Sequence, residues 1–404
     1  MPPDSAQQHT TQQATPHAIP RVGLSAFYFA YFAYVGAFSP YFTLYLSSVG
    51  HGAAAIGMLL SAQQVMRIVA PNLWAGVADR TGRRAPWIRL TLAGAIIALA
   101  ATFATTEFVP LLLVMAMIGL FTNAALPLFE TLTFAHLRDD IGRYGVIRVW
   151  GSVGFIAAVL GVGAALDVLP IRALLWIVIA LMVASLACAC AVGDAPVRAA
   201  RGDSGPLMAV VRQPKVMALL VACFFMCMAH GPLYAFYSIY LSEHGYGKTV
   251  VGVMWSIGVV AEILVFLFMP RLVKRFSTVS LFGFAFAVAV VRFLMIAWGV
   301  DSPVVLVTAQ VMHAATFGVY HAAALGLLNA WFGDAQRSRA QALYMSVSFG
   351  AGGMLGGLGG GFLWESIGPA WTFSLASIAS LAGWIAARRT GFPDPAPGEG
   401  RPAG

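Results

Sequence analysis

The sequence predicts an all-α fold: a polytopic membrane protein of twelve transmembrane helices, arranged as two pseudo-symmetric six-helix bundles. Three observations predict it. Of the 404 residues, 59% are hydrophobic and only 10% charged, against roughly 25% charged in an ordinary soluble chain. The apolar residues fall in runs long enough to cross a bilayer, which takes roughly 20 residues at 1.5 Å rise each. The basic residues are confined largely to alternate connections between those runs.

The expected spans of the first half are 22–46, 53–77, 86–105, 108–136, 144–166 and 170–192. Those of the second half are 215–241, 249–270, 278–299, 303–332, 339–364 and 370–388. The expected organisation is a cytoplasmic tail over 1–20, a bundle over 21–192, a cytoplasmic linker over 193–214, a second bundle over 215–389 and a cytoplasmic tail over 390–404. The first tail is rich in Gln, Thr, Pro and His and lacks the basic start and cleavage site of a signal peptide, so it reads as disordered. The linker carries Asp194, Arg198, Arg201, Asp203 and Arg212 and is the one polar stretch long enough to separate two halves.

With the N-terminus inside, 19 of the 24 Lys and Arg lie in segments expected on the cytoplasmic side. Arg172 and Lys248 lie in outside loops, and Arg67, Arg148 and Arg292 lie within spans. That asymmetry places both termini in the cytoplasm. The net charge of +8 therefore reports topology, and no nucleic-acid partner is expected. Cys188, Cys190, Cys223 and Cys227 all sit in apolar runs and read as small core residues. No metal-ligand spacing, nucleophile triad or phosphate loop is found, so an enzyme is not expected.

The halves look related. Span two reads I-G-M-L-L-S-A-Q-Q-V-M-R-I and span eight reads V-G-V-M-W-S-I-G-V-V-A-E-I. Arg67 follows Gly57 by ten residues, as Glu262 follows Gly252, at an offset of 195. Opposite charges thus occupy one depth of the second helix in each half. Spans five and eleven are glycine-laden, with Gly151, Gly154, Gly161 and Gly163 in one and Gly350 to Gly361 in the other. That suits tight packing, and equally helices that flex.

An ionisable group at the centre of a span costs roughly 2.5–3.5 kcal/mol on insertion scales, so it is expected to face a polar interior. Glu262 on span eight, Arg292 on span nine and His313 on span ten all lie near mid-depth and are expected to form one charge cluster. Desolvation disfavours a charged carboxylate and a nearby guanidinium favours it, so small movements decide whether Glu262 holds a proton. Glu130 and Arg148 share a depth near the cytoplasmic ends of spans four and five. They are expected to pair, either in a binding site or as a static fastening of two helices. Asn123 lies on the face of Glu130. Arg67, with Gln63 and Gln64, makes span two cavity-facing. His230, Tyr234 and Tyr237 form a stripe on span seven, which is either packing or cavity lining, and the central histidine favours the cavity. His321 shares only part of the face of His313.

The loop after span two, G-V-A-D-R-T-G-R-R from Gly76 to Arg84, resembles the cytoplasmic signature of the major facilitator superfamily, G-x-x-x-D-R-x-G-R-R/K. Gly76 permits close helix approach, Gly82 the turn, and Asp79 a cap or pair across the cytoplasmic seam, while Arg80, Arg83 and Arg84 anchor the loop inside. The resemblance implies a conformational latch; a purely topogenic role for the arginines is the alternative. The loop after span eight, P-R-L-V-K-R-F, is a degraded copy lacking the acid.

Three further segments resemble the 3-phenylpropionate permease branch, which is similar to the lactose permease type of proton symporters. They are R-Y-G-V-I-R-V-W-G-S-V-G-F (143–155), Y-G-K-T-V-V-G-V-M-W-S-I-G-V-V-A-E (246–262) and Q-V-M-H-A-A-T-F-G-V-Y-H (310–321). The resemblance implies that Glu262, Arg292 and His313 belong to the coupling and binding apparatus, and that Glu130 and Arg148 bind substrate. It departs at Thr316, where such permeases carry a second acid.

The expected function is proton symport of a small organic solute by alternating access in the bacterial cytoplasmic (inner) membrane. The carrier is expected to be a monomer with no cofactor beyond the proton gradient. The arginines suit an aromatic carboxylate such as 3-phenylpropionate. If Glu130 and Glu262 neutralise Arg148 and Arg292, Arg67 remains the best candidate for a free positive charge, and a sugar, polyol or nucleoside becomes the runner-up. Proton-driven efflux by antiport stays open because of Glu130.

Overall fold

The computed structural model describes residues 19–138, 140–195 and 211–389. The expected C-terminal tail, nearly all of the N-terminal tail and the middle of the linker lie outside the described residues. Six helices form the first half: α1 (Arg21–Ser48), α2 (Ala53–Thr81), α3 (Ala85–Ala101), α4 (Phe108–Leu137), α5 (Tyr144–Val168) and α6 (Ala173–Cys190). The second half opens with α7 (Pro214–Glu243), α8 (Lys248–Arg275) and α9 (Thr278–Trp298).

The tenth expected span is one rod in three pieces: α10 (Pro303–Val311), a π-helical turn over Ala314–Val319 and α11 (Tyr320–Trp331). The eleventh likewise comprises α12 (Asp334–Met345), a π-helical stretch over Ser346–Gly352 and α13 (Gly353–Ile367), before α14 (Pro369–Arg389). Every expected span is helical. Ten described rods are long and apolar enough to cross a membrane and α3 is a shorter apolar helix, whereas the eleventh rod, broken by its π-helical stretch, is in neither group. The eleventh rod begins at Asp334, before the expected 339, and α8 runs on to Arg275. Polar turns that extend a helix past its apolar stretch leave no trace in hydropathy.

The helix ends follow local chemistry. Proline stands in the first turn of α3, α7 and α10, where its missing N–H has no partner to lose. The Ser277 side chain accepts from the Ser280 N–H to cap α9. Gly82 ends α2 at φ 66°, a left-handed conformation that glycine adopts without penalty.

Packing within the halves repeats. α1 lies against α5 and α7 against α13, at separations that leave no room for a side chain. A Cβ on Gly154 would stand 2.1 Å from the Phe29 carbonyl oxygen, and one on Gly356 2.1 Å from that of Met228. Between the halves the relation is reciprocal: α2 packs on α13, and α8 on α5. The repeat-related Gly57 and Gly252 both sit in these seams, against the carbonyls of Gly357 and Val159.

Hydrogen bonds between the halves gather at the face remote from Arg21. Asp167, at the end of α5, accepts from the backbone N–H of Lys248 (2.7 Å) and Thr249 (2.9 Å) at the start of α8. Glu365, near the end of α13, accepts from the Ala54 N–H (2.9 Å) at the start of α2. Each carboxylate thus caps a helix N-terminus of the opposite half, where unpaired N–H groups and the positive end of the helix dipole favour an anion. An exposed cap contributes about 1 kcal/mol. Replacing both Asp167 and Glu365 by alanine is therefore expected to shift the equilibrium between closed and open states of this face roughly thirty-fold toward open. Spin-label distances across the face check this, and an unchanged distribution would show that the caps do not hold it shut.

Candidate functional site

Arg292 enters from α9 and is wholly buried. Its Nε donates to the Ala309 carbonyl (2.8 Å), and its Nη1 donates to Thr316 Oγ1 (3.0 Å) and to His230 Nε2 (3.3 Å). His230 is held by α7, where its Nδ1 lies 2.8 Å from the Met226 carbonyl oxygen. A carbonyl only accepts, so the ring hydrogen sits on Nδ1, and Nε2 is left as the neutral acceptor that meets Arg292. The His313 ring centroid lies 6.1 Å from that of His230 and 5.4 Å from that of Phe317. Thr316 and Phe317 both belong to the π-helical turn, a wider coil often found at functional sites.

The expected cluster of Glu262, Arg292 and His313 therefore forms only in part. Arg292 and His313 share a buried polar group with His230, but Glu262 stands apart. Among the described residues its carboxylate makes no hydrogen bond, and it is absent from the ion pairs. The Glu262 Cγ lies 3.5 Å from where a Cβ on Gly318 would be, so the side chain rests on the π-helical turn. Arg148 of the other half lies within electrostatic reach of it. Depth along a helix is readable from sequence, whereas the side it presents is not: α8 turns Glu262 to the seam, while α9 turns Arg292 inward.

The expected pair of Glu130 and Arg148 is present at 3.9 Å. Tyr144 adds a hydroxyl that donates to the same Glu130 oxygen at 3.2 Å. The Arg148 guanidinium stacks 3.9 Å over the Phe32 ring and 5.5 Å over that of Tyr28. Sequence reasoning missed these aromatics, although Tyr144 lies four residues before Arg148 and so on its helix face. Asn123 gives its amide hydrogens to the carbonyls of Gly119 (2.9 Å) and Gln63 (3.2 Å). It fastens α4 to α2 and keeps only its Oδ1 for other partners.

A cavity of about 40 Å³ lies between the halves, lined by Arg67 from α2 and by His230, Tyr234, Thr316, Phe317 and Phe349 among others. It has room for a few water molecules. Arg67 lies 5.4 Å over the Phe349 ring, in the second π-helical stretch, and has no carboxylate partner among the described ion pairs. The expected stripe on α7 divides: His230 and Tyr234 reach the cavity, whereas Tyr237 is buried with Gln310 and Arg292 as its polar neighbours. His321 lies behind the lining, its Nδ1 2.9 Å from the Tyr344 hydroxyl.

The loop after α2 corrects two expectations. Asp79 pairs with Arg84 at 2.7 Å within its own loop, not across the seam. A Cβ on Gly76 would meet nothing within 4 Å, so no helix approaches closely there. Asp194 accepts from the backbone N–H of Arg84 (3.1 Å) and Ala85 (3.3 Å) and pairs with Arg83 (3.6 Å). The loop is thereby tied to the end of α6 in its own half, leaving Arg80 exposed.

Comparison with known proteins agrees with this architecture. The Escherichia coli (strain K12) protein described as a probable 3-phenylpropionic acid transporter is 28% identical over 366 residues, covering 88% of this chain and 94% of the relative. The maltose permease of Geobacillus stearothermophilus is 29% identical over 373 residues, covering 88% and 91%. The crystal structure of the nucleoside transporter NupG superposes with a TM-score of 0.82 at 18% identity, covering 92% of this chain and 98% of that one, which shows the shared fold. Residues 22–375 match the MFS_1 like family. The helical rods of the described residues, the reciprocal seams between two halves and the buried ionisable groups beside a central cavity are those of a membrane transporter, and the chain belongs to the MFS_1 like family.

Proposed function

We propose that the protein is a proton-coupled uptake carrier for a small aromatic carboxylate, working by alternating access with both termini in the cytoplasm. The observation that carries this reading is Glu262: a carboxylate that makes no hydrogen bond among the described residues and rests on the π-helical turn, with Arg148 of the other half within electrostatic reach. When the halves move, the distance between Glu262 and Arg148 changes, and with it the preference of Glu262 for its proton. Protonation is thereby tied to the side on which the cavity opens.

The placement of basic residues supports an outward-facing position for the face sealed by Asp167 and Glu365. The neutral-solute alternative assumed that Glu262 neutralises Arg292. The two do not pair, so the second half keeps an uncompensated cation that favours an anion. The similarity to a protein named as a 3-phenylpropionic acid transporter points the same way.

Purified protein in proteoliposomes with an inward proton gradient is expected to accumulate labelled 3-phenylpropionate and to alkalinise the outside medium as it does so. Proton release on adding solute would turn the reading to antiport. Accumulation of maltose or a nucleoside with no effect of phenylpropionate would sink the carboxylate assignment.

A further inference from the structure

Among the described residues, several buried polar atoms of the second half that lack full hydrogen bonding lie around one cation. Arg292 uses Nε and Nη1 but leaves both hydrogens of Nη2 unpaired. The Gln310 amide and the Tyr237 hydroxyl have no hydrogen-bond partner but each other, and His313 Nδ1 is also unpartnered. The four residues are 0%, 3%, 1% and 8% exposed, so water in the cavity does not relieve them. They share one locality. Gln310 and His313 flank the same point on α8, their atoms lying 3.3 and 3.4 Å from where a Cβ on Gly258 would stand. Arg292 Nε rests on Ala309, the residue before Gln310, and Tyr237 neighbours both Gln310 and Arg292.

Among the described residues, what meets Arg292 is neutral: a backbone carbonyl, a threonine hydroxyl, the Phe293 ring and a histidine whose tautomer is fixed by Met226. A buried guanidinium with no carboxylate is costly. A surplus of donors around it fits a planar anion with two acceptor oxygens, which the guanidinium edge takes in bidentate fashion.

Building on the uptake reading, we propose that Arg292, Gln310, Tyr237 and His313 form the seat for the carboxylate of the transported solute. In this conformation the seat is shut. Its door is the cavity wall itself, because His230 and Thr316 line the cavity and are also the side chains that Arg292 grips. An incoming carboxylate replaces neutral acceptors by charged ones, and so draws the guanidinium toward the cavity. The aromatic body of the solute then lies among Tyr234, Phe317 and Phe349. Arg67 is not the carboxylate's principal partner, because it comes from α2 in the other half and is engaged over the Phe349 ring.

Binding to the purified full chain tests this, with 3-phenylpropionate against its neutral counterpart 3-phenylpropanol, read by calorimetry at constant pH. The wild type is expected to prefer the carboxylate at least tenfold. Arg292→Gln is expected to remove that preference, Arg292→Lys to keep part of it, and Arg67→Gln to leave it within a few-fold. Gln310→Leu and Tyr237→Phe, which keep the shape of the core, are each expected to weaken the carboxylate about tenfold without weakening the alcohol; they carry the test should Arg292→Gln not fold.

A wild-type preference that survives in Gln310→Leu, Tyr237→Phe and a folded Arg292→Gln variant would overturn the seat. So would stabilisation by chloride with none by phenylpropionate. If another solute is accumulated while no carboxylate binds, the seat fails and the transport reading stands; if no solute moves in proteoliposomes, the transport reading itself fails.

Discussion

Gly356→Ala is expected to abolish folded protein in the membrane, although it adds one methyl group to a helix. The added carbon would stand 2.1 Å from the Met228 carbonyl oxygen and 2.8 Å from its carbon. Both are backbone atoms of α7, so no side chain can rotate away, and α7 must part from α13 along the crossing. Overpacking that displaces side chains costs about 1–3 kcal/mol, and separating two backbones belongs at or above the top of that range. Membrane helices associate largely through such close packing, since lipid gives them no hydrophobic reason to meet. The same change at Gly359 supplies the contrast, because a Cβ there would meet nothing within 4 Å. Gly359→Ala is expected to be stabilising by up to about 1 kcal/mol through helix propensity alone. Detergent-extracted yield, monodispersity and Tm compare the two. A monodisperse Gly356→Ala protein with wild-type Tm would refute the steric account.

The pair of substitutions also marks where the sequence was legible. Runs of apolar residues located the helices to within a few positions at most ends, because the bilayer imposes one length on every span. The glycines of spans five and eleven announced close packing without naming what approaches: Gly154 meets Phe29 and Gly356 meets Met228 only once the bundle is assembled. The register linking Gly57 to Gly252 was readable, and its meaning as two reciprocal seams was not.

Rotation about the helix axis is where sequence reading failed for the site. Glu262, Arg292 and His313 share a depth, yet α8 presents Glu262 to the seam. The π-helical stretches at Ala314–Val319 and Ser346–Gly352 re-aim every residue around them and have no compositional signature. The caps made by Asp167 and Glu365 were not legible, because the helix starts they cap lie 81 and 311 positions away in the chain. Gln310 was within reach, since an amide three residues before a central histidine is itself a polar group inside a span.

Glu262→Gln is expected to abolish accumulation against a gradient while leaving solute exchange intact. A proton and a monovalent carboxylate together carry no net charge, so the pH difference drives the pair: each pH unit supplies about 1.4 kcal/mol, equivalent to roughly a ten-fold concentration ratio. A carrier that no longer moves the proton with its solute forfeits that ratio and equilibrates instead. Exchange survives because it needs only the seat and the movement of the halves. The substitution suits the question because Glu262 makes no hydrogen bond among the described residues. An amide of the same shape at a partly exposed position is expected to change stability by less than about 0.5 kcal/mol. Uptake and counterflow in the same proteoliposomes separate the outcomes. Accumulation at the wild-type ratio would remove Glu262 from coupling. Loss of counterflow along with accumulation would make it a solute ligand, with Arg148 across the seam as its partner in binding.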